Sequence, residues 1–193
     1  MPVVDSEYRM LGVIEIDDVM DVIEEETTED INLMAGMSGE ERVDSTVLES
    51  AKSRIPWLIV NLFTAVMAAA VVANFESTIA KVVSLSSVMS IVTGMGGNAG
   101  TQSLTILCRG LSLGEVDKDN AFQIFCKEIT VGLLSGIVIG IIVAFGAWWF
   151  ASNPWFGLVA GLAMILNMLA ANIAGYLVPV ILKRLNIDPA LAS

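Results

Sequence analysis

Long runs of apolar residues, separated by short polar segments, occupy the chain from about residue 55 onwards. Four of these runs are each close to the ~20 residues that a helix needs to cross ~30 Å of hydrocarbon. They predict membrane spans over residues 55–74, 82–107, 129–150 and 156–182, and none of these ranges contains Lys, Arg, Asp or Glu. The pattern therefore predicts an all-α polytopic membrane protein with four transmembrane helices.

The first 54 residues have a different, more polar pattern. Val3-Val4 predicts a short strand, residues 5–7 a turn, residues 10–16 a second strand, and a helix begins near Asp17 or Asp18, where a carboxylate caps the exposed amides. Residues 31–54 predict an amphipathic linker helix that leads into the first span, with an interruption at Gly36 or Gly39. Pro56 is expected in the first helical turn, which tolerates proline.

Composition and charge narrow the class of protein. Hydrophobic residues make up 55% of the chain and the mean hydropathy is +0.73, which excludes a simple cytosolic enzyme. Residues 1–50 contain 15 acidic and 2 basic residues, net −13, whereas residues 51–193 contain 8 basic and 6 acidic residues, net +2. An acidic head thus precedes a nearly neutral membrane domain, and such a head repels nucleic acid.

The basic residues that flank the short loops predict the orientation in the membrane. Seven of them lie on the side of the N-terminus and one, Lys81, on the other, so the N-terminus is expected to be cytoplasmic. The seven are Lys52, Arg54, Arg109, Lys118, Lys127, Lys183 and Arg184. A multi-pass protein of the cell membrane is the expected class. Cys108 and Cys126 are interpreted as packing residues.

A glycine-rich polar segment, residues 93–103, interrupts the second apolar run. Asn98 and Gln102 are four residues apart and share one helix face with Thr101 and Thr105. Their neutral oxygens suit a hard cation or its inner water shell. However, Gly96 and Gly100 also have the spacing of closely packed membrane helices, so composition leaves an ion pathway and simple packing equally open.

The other spans contain small or polar residues for which packing is the favoured interpretation. Gly132, Gly136 and Gly140 repeat every four residues and predict a close helix contact. Asn167 and Asn172 are expected to form hydrogen bonds between helices rather than to line a pore.

The acidic head concentrates carboxylates in residues 17–30. Like charges four apart repel on a helix by a few tenths of a kcal/mol per pair. The segment can be a solvated helix face, or it can be a regulatory divalent-cation site in which the ion removes this repulsion. The candidate ligands for that site are Asp17, Asp18, Asp21, Glu25 and Glu29.

Two family resemblances bring these features together. The β-turn-β-α order of residues 1–30 resembles the end of a CBS domain, although Glu15 stands where nucleotide-binding members commonly have Thr or Ser, which makes adenine nucleotide binding doubtful. Residues 96–103, with Arg109-Gly110-Leu111 and Leu113-Gly114-Glu115, resemble the second-span signature of the MgtE family of magnesium transporters and channels. Residues 54–58 and Asp188-Pro189-Ala190 fit the same family in the same order.

The MgtE resemblance implies a homodimer with a Mg²⁺-selective pathway that is gated by cytoplasmic Mg²⁺ at the acidic head. Asn98 matches the pore asparagine of the family, and Gly97 and Gly100 match its neighbouring glycines; Thr101 and Gln102 complete the candidate pathway. The family has a fifth span that carries a pore aspartate, so residues 188–193 are expected to be the start of a segment leading to it, and the chain to be a fragment. A membrane-anchored scaffold with an acidic partner-binding head is the alternative. An enzyme is not expected, because the predicted spans lack ionisable residues.

Overall fold

The computed structural model of the chain describes residues 1–37, 41–82, 84–117, 119–185 and 188. In these residues, strands β1 (Pro2–Val4) and β2 (Met10–Val13) come before six helices. The helices are α1 (Ile16–Met34), α2 (Val47–Ala73), α3 (Glu76–Lys81), α4 (Ser84–Ser112), α5 (Ala121–Ala151) and α6 (Pro154–Arg184). The chain divides into two compact units, Met1–Val60 and Asn61–Ser193.

The predicted strand-turn-strand-helix order is confirmed in the first unit. β1 and β2 pair in antiparallel fashion, with Pro2 opposite Val13. The second strand ends earlier than predicted because Ile16 is already the first residue of α1. Asp18 accepts a hydrogen bond from the Glu15 backbone N–H at 2.8 Å, so a carboxylate pairs an exposed amide at the start of the helix.

The linker over residues 31–54 is not one continuous helix, and its break at Gly36 is one of the two interruptions that the sequence predicted. α1 ends at Met34, the chain turns at Gly36 with φ +73°, and α2 begins only at Val47. A positive φ favours glycine, which explains why the break lies at Gly36; Gly39 lies outside the described residues. α2 begins at Val47 because Thr46 and Glu49 cap it, with the Thr46 N–H donating to Glu49 Oε2 at 2.9 Å.

The early start of α2 also changes the position of Pro56. It lies inside the helix, whereas the sequence predicted a position in the first helical turn, so that prediction is wrong. A proline there lacks an N–H and leaves a carbonyl of the preceding turn without its helical hydrogen bond. α2 nevertheless continues to Ala73.

In the part of the chain that the structure describes, three helices are long and apolar enough to cross a membrane, namely α2, α5 and α6. α4 covers most of the predicted second span, and its 29 residues extend about 43 Å at 1.5 Å per residue. Its glycine and polar residues give it a less apolar composition than the other three helices. The apolar runs predict four spans, whereas three helices of the described residues, without α4, are long and apolar enough to cross a membrane.

In the second unit, α6 packs against both α4 and α5, which meet each other in far fewer places. The predicted packing role of the α5 glycines is confirmed. A Cβ at Gly136 would lie 3.2 Å from the Ile165 carbonyl oxygen, and one at Gly140 would lie 2.9 Å from the Gly161 carbonyl oxygen. Side chains at these positions would push α5 and α6 apart.

Polar contacts fix one end of this bundle. Lys183 Nζ donates to the Leu111 carbonyl at 3.0 Å, and the Tyr176 hydroxyl donates to the Ala121 carbonyl at 2.8 Å. The C-terminal ends of α4 and α6 therefore lie beside the N-terminal end of α5.

The two cysteines differ in their surroundings. The predicted packing role is confirmed for Cys108, which is buried, and is wrong for Cys126, which is exposed.

Candidate ion pathway and regulatory segment

α4 remains one continuous helix through the glycine-rich segment. Each glycine in a helix interior costs about 1 kcal/mol relative to alanine, so tertiary contacts must offset this cost. These contacts lie on the face of α4 that is buried against α6. Its buried residues are Gly96, Ala99, Ser103, Leu104, Leu107, Cys108, Gly110 and Leu111.

Gly96 and Gly100 lie on the packing side of α4. A Cβ at Gly96 would clash with the Asn167 carboxamide, and one at Gly100 would lie 3.6 Å from the Ala171 carbonyl oxygen. Asn167 Nδ2 donates to the Val92 carbonyl at 2.6 Å, which confirms the predicted hydrogen bond between helices. The interpretation of Gly96 and Gly100 as packing residues therefore agrees with their surroundings.

The remaining candidate pathway residues lie on the opposite side of α4. Gly97, Asn98, Thr101 and Gln102 are all exposed, and a Cβ at Gly97 would meet no atom within 4 Å. Thr105 continues this surface, and its hydroxyl donates to the Thr101 carbonyl at 2.8 Å. We refer to these five residues as the polar face of α4. It presents carboxamide and hydroxyl oxygens, which are hard neutral ligands suited to a hydrated divalent cation.

The structure reveals one polar residue that the sequence interpretation missed. Glu128 lies in α5, one residue before the predicted third span, and it is only 6% exposed. Ser103 Oγ donates to Glu128 Oε2 at 2.7 Å. Glu128 lies four residues before Gly132, so it belongs to the face that carries the glycine repeat, and this spacing could have predicted its burial. Asn172, predicted to bond between helices, instead donates its Nδ2 to Met168 in its own helix at 2.8 Å.

The regulatory candidates form an exposed surface on α1. Asp17, Asp18, Asp21, Glu25 and Glu29 are all exposed. Asp18 accepts the hydrogen bond described above, and Glu25 lies 3.8 Å from Arg42. Among the described residues, no three His, Cys, Asp or Glu side chains are close enough together to hold a metal ion.

A set of contacts ties the end of α1 to the beginning of α2; we call its residues, Asn32, Gly36, Glu41, Arg54 and Trp57, the clasp. Asn32 Nδ2 donates to the Glu41 carbonyl at 3.0 Å, and Arg54 Nε donates to Glu41 Oε1 at 2.8 Å. The Glu41 side chain is 5% exposed. The hydrogen bond from Arg54 holds the pKa of Glu41 below its ordinary value. A Cβ at Gly36 would clash with the Trp57 indole, so only glycine fits beside this ring.

The second compact unit also contains the segment that identifies the family. A family described as "MgtE: Divalent cation transporter" matches residues 89–193, which is more than half of the chain. The chain belongs to the MgtE family. The matched segment includes the polar face of α4, Glu128 and the whole of α5 and α6. MgtE is a family of transporters and not of enzymes.

Curated relatives support the same assignment over the full length of the chain. It is 37% identical to the magnesium transporter MgtE of Enterococcus faecalis, 34% to that of Thermus thermophilus and 32% to that of Bacillus subtilis. Each similarity covers 100% of this chain. The chain spans 42–43% of the length of these MgtE proteins.

Proposed function

We propose that this chain forms part of a Mg²⁺ transporter and that the polar face of α4 lines the ion pathway. The observation that carries the proposal is the division of α4 into two faces. The glycines of one face pack against α6, whereas Asn98, Thr101 and Gln102 are exposed on the other. The relatives named as magnesium transporters support Mg²⁺ as the transported ion.

The physical chemistry of the bilayer favours a water-filled surrounding for this face. Polar side chains within the hydrocarbon region face protein or a water-filled cavity, because lipid tails satisfy no hydrogen bonds. Mg²⁺ retains its water strongly, so neutral oxygens around a hydrated ion avoid most of the dehydration cost. For a charge of +2, an inside-negative potential favours entry by about 4.6 kcal/mol per 100 mV.

A homodimer in the cell membrane provides such a surrounding, with the pathway between two copies of the chain. α2 is long and apolar enough to cross a membrane, and the apolar side chains of its second half are exposed in the single chain, where lipid or a partner can cover them. Arg109, Lys183 and Arg184 lie at the bundle end that the positive-inside rule assigns to the cytoplasm. This end supports a cytoplasmic N-terminus.

Regulation by cytoplasmic Mg²⁺ completes the proposal. The exposed carboxylates of α1 repel one another in pairs at 17/21, 21/25 and 25/29, and a bound divalent ion would remove this repulsion. The first 30 residues act as the end of a CBS domain in this scheme, without adenine nucleotide. The clasp connects α1 to α2, so a change in α1 would reach the helix that enters the membrane.

The test replaces Asn98 with Leu in the complete protein and measures Mg²⁺ uptake into proteoliposomes. The substitution removes the carboxamide and keeps the same number and branching of side-chain heavy atoms, so we expect uptake to fall at least tenfold while assembly is retained. Thr130→Val is the matched control, because the Thr130 hydroxyl donates to Cys126 within α5, away from the polar face. A dimer with normal Mg²⁺ uptake after Asn98→Leu would contradict the pathway and favour a membrane-anchored scaffold.

A further inference from the structure

Glu128 is a buried carboxyl group that the proposed pathway does not use. It lies in the second turn of α5 and is 94% buried, in contact with α4 through Ser103. Burying a carboxyl group is unfavourable unless hydrogen bonds compensate for the lost water. The hydrogen bond from Ser103 is one such compensation for the burial of Glu128.

Ser103 has a single hydroxyl proton to donate, and two acceptors compete for it. Glu128 Oε2 lies 2.7 Å from Ser103 Oγ, whereas the Asn172 carbonyl oxygen lies 3.4 Å away. The shorter distance is ideal for a hydroxyl donor and the longer one is not. The proton therefore belongs to the contact between α4 and α5.

This contact joins two helices that otherwise meet mainly through α6. At Gly175, a Cβ would lie 2.8 Å from the Gly100 carbonyl oxygen and 2.9 Å from Ser103 Cβ. The close approach fixes the distance between α4 and α6, and the hydrogen bonds from Asn167 and Lys183 to the Val92 and Leu111 carbonyls also hold α4 to α6. The hydrogen bond from Ser103 to α5 adds a restraint from a second helix against rotation of α4 about its axis.

Rotation of α4 would directly move its polar face. Successive residues are 100° apart around a helix, so Gln102 lies about 100° and Asn98 about 140° from Ser103. Holding Ser103 inward therefore holds Asn98 and Gln102 outward. We propose that Glu128 is a positioning residue. Its hydrogen bond with Ser103 sets the rotation of α4 about its axis and thereby the direction in which the polar face of α4 points. The consequence for transport rests on the function proposed above.

The transport test uses a double-mutant cycle on the complete protein in proteoliposomes. Ser103→Ala and Glu128→Ala should each lower the maximal rate of Mg²⁺ uptake by roughly tenfold, and the double variant should lose no more than either, because all three lack the same hydrogen bond. Glu128→Gln retains an acceptor oxygen and should keep most of the activity. Ser135→Ala is the control, because the Ser135 hydroxyl donates to Val131 within α5.

Two outcomes of the cycle would overturn the proposal. If Glu128→Gln loses as much uptake as Glu128→Ala while Ser103→Ala is active, the charge of Glu128 and not its hydrogen bond is required. If both alanine variants retain the wild-type rate per folded molecule, α4 needs no such restraint. Size-exclusion profiles identify folded protein, and Ser103→Ala keeps the test informative if Glu128→Ala does not fold.

A second measurement detects the rotation of α4 independently of Mg²⁺ transport. Gln102→Cys is introduced with Cys108→Ala and Cys126→Ser, and its labelling rate by a soluble thiol reagent is measured in detergent. Adding Ser103→Ala or Glu128→Ala should change this rate at least threefold, whereas adding Glu128→Gln should not. Equal rates in all variants would overturn the positioning role. If the unmodified protein carries no Mg²⁺, the proposed function fails, and the labelling rates still decide the role of Glu128.

Discussion

Gly175 offers a quantitative test of the packing between α4 and α6. A Cβ at this position would lie 2.8 Å from the Gly100 carbonyl oxygen, 2.9 Å from Ser103 Cβ and 3.2 Å from the Leu104 backbone nitrogen. Two of these three atoms belong to the backbone, so Gly175→Ala requires the helices to separate. Overpacking of this kind costs about 1–3 kcal/mol. The higher helix propensity of alanine returns about 1 kcal/mol, which leaves a net destabilisation of about 0–2 kcal/mol.

Gly146→Ala is the matched control for this substitution. A Cβ at Gly146 in α5 would meet no atom within 4 Å, so the control contains the gain in helix propensity without the overpacking. The difference between the two variants isolates the steric cost, and we expect Gly175→Ala to be less stable than Gly146→Ala by about 1–3 kcal/mol. Reversible unfolding of the purified protein in mixed detergent micelles measures this difference. Equal shifts in the two variants would refute the close approach of α4 and α6 at Gly175.

Two further predictions concern charged side chains. Arg54 holds the pKa of Glu41 below its ordinary value of 4.5, so the contribution of the clasp to stability is complete above pH 4.5 and is lost as the pH falls through the lowered pKa. In protein with Trp57 as its sole tryptophan, the fluorescence emission should shift as the pH falls below 4.5. The same shift in Glu41→Gln would contradict this assignment. Lys183→Met removes the donor to the Leu111 carbonyl at the end of α4 and should lower the free energy of unfolding in detergent micelles by about 0.5–1.5 kcal/mol. Lys127 is an exposed lysine of α5, and an equal effect of Lys127→Met would argue against a specific contact of Lys183.

Much of the membrane domain could be predicted because apolar runs and helices coincide there. The predicted spans over 129–150 and 156–182 lie within α5 and α6. Composition could not decide between packing and a pathway for the glycine-rich segment, since the two interpretations concern different faces of one helix. Gly96 lies toward α6 while Gly97, the next residue, is open, and only the neighbouring helix determines which residue is which.

The linker shows where hydrophobic pattern alone is insufficient. Residues 31–54 are polar enough for a surface helix, but the left-handed backbone at Gly36 and the capping pair of Thr46 and Glu49 divide them. Both signals are present in the sequence, as a glycine and as a Thr-x-x-Glu motif. The clasp could not be read in the same way, because it depends on how Glu41 and Arg54, thirteen residues apart, meet in space.

Glu128 shows why a carboxylate at the edge of an apolar run is difficult to interpret. Hydropathy treats a charged residue as the boundary of a span, and the third span was accordingly predicted to begin at residue 129. However, α5 begins at Ala121, so Glu128 lies two turns inside the helix, on the side of Gly132 and Gly136. A small-residue face attracts a neighbouring helix, and a carboxyl group on that face is buried together with the glycines. The lack of ionisable residues in the predicted spans therefore does not describe the buried face of α5, where Glu128 lies one residue before the predicted span and contacts α4.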